Sequence, residues 1–333
     1  MTEPLRVVDM HTGGEPVRIV TAGYPPLPAG TILHKRAYVR DNLDHLRRIL
    51  MLEPRGHIDM YGALLVEPDL PGADLAVLFM HNQGYSTMCG HAVIALGRYA
   101  VDEGLVPADA PVATVNIECP CGMVEATVEI IDGRAGAVSF RSVPSFAFAA
   151  GRSVDLPGFG PVGFDIAYGG AFYALAEADR FGLAFGRDPV RAFVDAASAL
   201  TAAVKRAYPL AHPDHDDLAF LYGSILTDGG DGAGAATKNI CVFADAQVDR
   251  SPTGSGVTAR MAAMHAAGAV DLGEPRSFES ITGAVFTACV ERQVDIGARR
   301  GVEVRVSGRA YYCGRAEFSV EPDDPLGGGF LVR

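Results

Sequence analysis

Two stretches of this chain align without a gap. CGHAVIALGRYAVDEGLV begins at Cys89 and TGSGVTARMAAMHAAGAV begins at Thr253. Gly90 meets Gly254, Val93 meets Val257, Ala95 meets Ala259, Gly104 meets Gly268 and Val106 meets Val270. Each stretch predicts a helix entered from a polar loop and closed by glycine at its C-terminus. Each also follows a β-rich run and a short polar connector: LAVLFM then HNQGYST, and NICVFA then DAQVDRSP. The first helix is apolar nearly all round, which suits a buried helix better than a surface one. The competing reading is chance similarity among small residues. If the repeat is real, the chain folds as two similar domains, each built on its own buried helix. Should both helix N-termini face one pocket, their unbonded N–H groups would converge there and favour a carboxylate.

A length of 333 residues fits two domains at about 100–200 residues each. With 49% hydrophobic and 20% charged residues, packed cores are expected rather than disorder. The net charge of −12 speaks against a nucleic-acid or anionic-membrane partner, which needs a basic face. It leaves room for a small anion held locally by backbone N–H groups. No segment reaches the ~18 apolar residues of a membrane span. The start, MTEPLRVVDMHTGGEP, lacks the regions of a signal peptide. A cytoplasmic protein with its six cysteines reduced is therefore expected.

Strands are expected at 6–10, 17–23, 75–80, 112–118, 122–131 and 135–140, and a second set follows from DIAYGGAFYALAE onward. Further helices are expected at 41–51, with Asp41 as N-cap, and at 188–207, opened by Asp188-Pro189. The domain junction is placed near Pro144, giving 1–143 and 144–317. Strands and helices alternate irregularly, so a mixed α/β or α+β fold is expected rather than a parallel sheet.

Cys89 stands where a helix N-terminus lowers a thiol pKa, with Gly90 leaving the backbone open to a ligand. The alternative is a buried, inert cysteine. Cys119-Pro120-Cys121 is half a metal site with no second half, and Cys241, Cys289 and Cys313 lie in strand-like runs and read as core. His212, Asp214, His215, Asp216 and Asp217 read as a solvated loop sooner than a metal site. Gly254-x-Gly256-x-x-Ala259 matches a dinucleotide fingerprint weakly, because Glu274 falls in a loop instead of at a strand end.

DMHTGGEP (9–16), MCGHAVIALGRYAVDEG (88–104), RSVPSF (141–146), DIAYGGAFYAL (165–175), DRSPTGSGVTAR (249–260) and the tail from Ser307 together resemble the proline racemase family over the full length. The resemblance implies a diaminopimelate-epimerase-like fold, with two pseudo-symmetric domains that each wrap strands around a central helix. The active site is expected between them, and a C-terminal strand (318–333) is expected to return to the first domain. No cofactor and no metal is implied. The partner is expected to be a small hydroxylated proline, with no nucleic acid, no membrane, and a homodimer as the candidate assembly.

In racemases and epimerases of this family two thiols flank the substrate α-carbon. Cys89 matches the first. The second motif usually reads D-R-S-P-C-G-T-G, and here it reads D-R-S-P-T-G-S-G, so Thr253 stands in the second thiol position. A hydroxyl is a far poorer acid or base near neutral pH than a thiol of pKa about 8.5. The Cys/Thr pair resembles the branch that dehydrates trans-3-hydroxy-L-proline to Δ1-pyrroline-2-carboxylate. In that substrate the 3-hydroxyl and the α-hydrogen share a ring face. One group could then take the proton and assist the hydroxyl, or water or another acid assists. By position, Gly90, His91, Gly254 and Ser255 would hold the carboxylate and Asp249 the ring amine, with His11 in support of the site or purely structural. A 4-hydroxyproline 2-epimerase or proline racemase is the alternative, and an inactive amino-acid-binding protein a remote one.

Overall fold

The computed structural model describes residues 4–108 and 111–332. The chain forms two compact units, residues 1–138 with 309–333, and residues 139–308.

The first unit holds β1 (Leu5–Thr12), β2 (Glu15–Ala22), α1 (Ile32–Asn42), α2 (Asp44–Met51), β3 (Tyr61–Val66), β4 (Leu75–His81), β5 (Gly84–Ser86), α3 (Gly90–Asp102), β6 (Val112–Cys119), β7 (Gly122–Ile131) and most of β8 (Arg134–Arg141). The second runs through β9 (Phe146–Leu156), β10 (Gly160–Tyr168), β11 (Phe172–Glu177), α4 (Val190–Ala207), β12 (Leu221–Thr227), β13 (Thr237–Phe243), β14 (Gln247–Asp249), α5 (Gly254–Ala266), β15 (Pro275–Glu279), β16 (Val285–Ile296) and β17 (Arg299–Gly308). The chain then returns to the first unit as β18 (Ala310–Phe318), which pairs antiparallel with β1 from Leu5↔Phe318 to Thr12↔Ala310.

Pairing repeats strand for strand. β18 lies antiparallel to β1, β1 to β2, and β2 runs parallel to β3. In the second unit β9 lies antiparallel to β10, β10 to β11, and β11 runs parallel to β12. After the central helix, β6 returns parallel to β4, and β15 returns parallel to β13. α3 packs on β1, β2, β6, β7 and β18, and α5 on β9, β10, β11, β16 and β17. Both helices are therefore enclosed by their own strands. This is why residues 90–97 of α3 and 254–262 of α5 are buried without an exposed face. Gly104 and Gly268, at φ +69° and +73°, end the two helices in the left-handed conformation that glycine adopts at no steric cost.

A hairpin tip docks on the first turn of each helix. In the first unit Thr12 Oγ1 donates to the His91 carbonyl at 2.8 Å, beside the two-residue Gly13-Gly14 loop. In the second unit Gly169 takes the corresponding place. A Cβ there would overlap the Ser255 carbonyl oxygen and lie 2.5 Å from the Ala259 nitrogen. Gly169→Ala is expected to cost about 1–3 kcal/mol of overpacking, because backbone cannot rotate away as a side chain can. A urea midpoint equal to wild type would contradict this packing.

Several sequence expectations need correction. The helix expected at 41–51 is α2 alone, starting at Asp44, and Asp41 does not cap it, since its carboxylate pairs with Arg40 at 2.7 Å. The preceding α1 is capped by Thr31, whose hydroxyl accepts from the His34 N–H. α4 starts at Val190 with Pro189 as N-cap, while Asp188 accepts from the Ala184 N–H instead. Cys313 is exposed and Cys289 half-buried, because both strands have an outer face. Among the described residues no helix is long and apolar enough to cross a membrane.

Candidate active site

In the first unit, β4 turns through residues 82–83 into β5, and the chain reaches α3 with Cys89 as its N-cap. Cys89 is extended (φ −148°, ψ 102°), which turns its sulfur back over the helix end, where Sγ accepts from the Ala92 N–H at 3.4 Å. A sulfur here takes the place of the usual capping oxygen and sits in the positive end of the helix dipole. His91 Nδ1 lies 3.1 Å from Sγ and Nε2 3.5 Å. Both residues are buried, at 5% and 2% exposure. Burial pushes the Cys119 thiol well up and Cys121 to about 12, so neither supplies a thiolate near neutral pH.

In the second unit Thr253 is the N-cap of α5 at φ +66°, ψ 90°. A β-branched residue at positive φ is a steric outlier, a kind of strain that gathers at functional sites. Two side-chain bonds hold the loop in this shape. The Ser251 N–H donates to Asp249 Oδ1 at 2.8 Å, and the Thr253 N–H donates to Ser251 Oγ at 3.0 Å. Thr253 is 4% exposed, and its buried Oγ1 has no hydrogen-bond partner among the described residues. A buried hydroxyl left this way costs about 1–3 kcal/mol, so a bound ligand that satisfies it recovers that energy. Gly254 and Ser255 lie in a first turn that offers their amides no intrahelical acceptor. Ser255 Oγ is 2.7 Å from the Tyr173 hydroxyl, and burial raises that phenol well above its ordinary range, keeping it neutral.

The structure thus gathers Cys89, Gly90 and His91 at one helix start, and Asp249, Thr253, Gly254 and Ser255 at the other. His11 lies on β1. Its Nδ1 accepts from the Gly14 N–H at 3.2 Å and its ring stacks on Tyr311, while its neighbour Thr12 reaches α3. Sequence reading missed Thr12, Tyr61, Ser86 and Tyr173. A second alignment, of Thr12-Gly13-Gly14 with Tyr168-Gly169-Gly170, carried the signal for the hairpin tips. Among the described residues no group of three or more His, Cys, Asp or Glu side chains is arranged to hold a metal. Glu274 lies just before β15 and pairs with Arg276 at 3.1 Å, so it is not placed as the ribose-binding acid of a dinucleotide site. His212 packs edge-on against Tyr168 in a loop.

Comparison with known proteins agrees with this geometry. A trans-3-hydroxy-L-proline dehydratase from Homo sapiens is 57% identical over 339 residues, covering 100% of this chain and 96% of its own length. A trans-3-hydroxy-L-proline dehydratase from Burkholderia cenocepacia (strain HI2424) is 44% identical over 333 residues, covering 100% and 99%. Among solved structures, a hydroxyproline epimerase from Agrobacterium vitis with bound trans-4-hydroxy-L-proline has a TM-score of 0.92 at 27% identity, covering 99% of this chain and 96% of that one. A methylitaconate-delta-isomerase, at TM-score 0.55 and 13% identity, shares the fold alone. The sequence model described as proline racemase matches residues 7–331. With that match spanning nearly the whole chain, and full-length relatives above half identity, this chain belongs to the proline racemase family.

Proposed function

We propose that this protein is a trans-3-hydroxy-L-proline dehydratase that eliminates water to give Δ1-pyrroline-2-carboxylate. The observation that carries the reading is the unequal pair of helix caps, Cys89 on α3 and Thr253 on α5. The names of the relatives at 57% and 44% identity support it.

In this reading the substrate carboxylate is held by first-turn amides of Gly90, His91, Gly254 and Ser255. Asp249 accepts from the ring ammonium. Cys89 faces the α-hydrogen and removes it, while Thr253 on the opposite ring face satisfies its hydroxyl against the substrate and moves no proton. An amino-acid α-proton is weakly acidic, so the charge that develops on its removal must be stabilised. Helix N-terminal N–H groups aimed at the carboxylate do this without reorganising. The 3-hydroxyl leaves from the face where the proton is taken, and no reprotonation from the other face is required.

The test is separate incubation with trans-3-hydroxy-L-proline, trans-4-hydroxy-L-proline and L-proline, followed by NMR. Water loss is expected from the first alone, with no inversion of the other two. Efficient inversion of 4-hydroxyproline without dehydration of the 3-isomer would replace this reading by an epimerase.

A further inference from the structure

Removing the α-proton is half of a dehydration, since hydroxide is a poor leaving group and needs a proton of its own. Thr253 is too weak an acid for this, and the burial that raises the Cys119 and Cys121 thiols makes them weak acids as well. His91 is differently placed. Its two ring nitrogens lie 3.1 and 3.5 Å from the Cys89 sulfur. At these distances a proton can pass between the sulfur and the ring.

The ring is also held in place. Tyr61 of β3 packs edge-on against it, with ring centres 4.9 Å apart and planes at 71°. The Tyr61 hydroxyl is in turn hydrogen-bonded to Ser86 Oγ of β5, and the Tyr61 ring stacks on His81. Tyr61 and Ser86 are buried, at 2% and 0% exposure. The His91 backbone is fixed as well, by the bond its carbonyl accepts from Thr12 Oγ1. Contacts to a carboxylate through the His91 N–H require none of this side-chain packing.

We infer that the His91 side chain is the acid that protonates the departing 3-hydroxyl, so that a Cys89–His91 pair does in one domain what two opposed thiols do in a racemase. This rests on the dehydratase reading. The resting pair is thiolate and imidazolium. The thiolate takes the α-hydrogen as a proton, and the electrons of the C–H bond form the double bond between the α-carbon and C3. The C3–O bond breaks, and the imidazolium passes its proton to the oxygen, which leaves as water. Cys89 is then a neutral thiol beside a neutral imidazole, and transfer of the thiol proton to the ring restores the pair. The enamine product moves its N–H proton to C3 and becomes the cyclic imine. No outside acid, base or oxidant is consumed.

The experiment compares two leaving groups. Trans-3-chloro-L-proline expels chloride, which needs no proton, whereas trans-3-hydroxy-L-proline expels water. In His91→Gln, kcat/KM for water loss is expected to fall by about 10²–10⁴-fold, the usual weight of general acid catalysis, while chloride loss falls by about tenfold or less. Equal losses for both substrates would mean that His91 only holds the substrate, and would overturn the inference. So would a variant that dehydrates at the wild-type rate. If His91→Gln does not fold, as judged by its melting curve, His91→Asn is scored in the same way. The wild-type protein gives a second measurement: at neutral pH it must show the ultraviolet absorption of a thiolate that disappears in Cys89→Ala, and its absence also overturns the pair. Wild-type protein that does not dehydrate trans-3-hydroxy-L-proline fails the dehydratase reading itself, a result distinct from any of these.

Discussion

Cys89→Ala is expected to lose dehydration of trans-3-hydroxy-L-proline by at least about 10²–10⁴-fold while still binding the substrate. The size follows from the role, because Cys89 is the group assigned to take the α-hydrogen and its sulfur caps α3 in the helix field. Cys119 and Cys121 are held protonated by burial and offer no substitute base. Folding should survive. Removing the sulfur leaves the Ala92 N–H without its 3.4 Å contact, and losing a cap costs about 0.5–2 kcal/mol. Substrate affinity measured calorimetrically should stay within a few-fold of wild type, since the first-turn amides remain. Activity within about tenfold of wild type would remove Cys89 from the mechanism.

The second large effect is a gain. Thr253→Cys restores a thiol at the cap of α5, and the variant is expected to invert proline or 4-hydroxyproline, which have no 3-hydroxyl to expel. The change also relieves the backbone. Thr253 is β-branched at φ +66°, so cysteine, with no branch at Cβ, fits the same conformation with less crowding. Inversion followed by polarimetry, and deuterium incorporation in D₂O from each enantiomer, should rise at least about 100-fold over wild type, the low end of a general acid–base contribution. A folded variant that dehydrates but never inverts would show that residue 253 does not face the substrate opposite Cys89.

Much of the framework was legible in the chain. α3 announces itself by nearly continuous apolar sequence, and α5 by its gap-free alignment with α3, with Gly104 and Gly268 closing the two. Cys89 and Thr253 are found because they head these helices. What stayed hidden has tertiary causes. α1 buries only Ile32, Lys35 and Val39, so its sequence shows no apolar stripe, and only Thr31 marks its start. β9 is fully buried only at its two ends, Phe146 and Leu156, and lacks the alternation that betrays a half-buried strand. Tyr61 and Ser86 come from different strands and meet His91 only once β3, β4 and β5 are in register, so no local spacing signals them.

The pairing of β18 with β1 has a consequence for synthesis on the ribosome. The first unit is begun by the first residues and closed by residues 309–333, with the whole second unit made in between. At about 5–20 residues per second, roughly 10–30 s separate the emergence of β8 from that of β18. Throughout that interval β1 lacks its antiparallel neighbour and α3 lacks one of the strands that enclose it. The second unit is continuous in sequence and can complete its sheet first. Maturation of the half that carries Cys89 therefore waits until β18 has been made, and a nascent chain stalled before Ala310 presents an open strand edge beside an unfinished core.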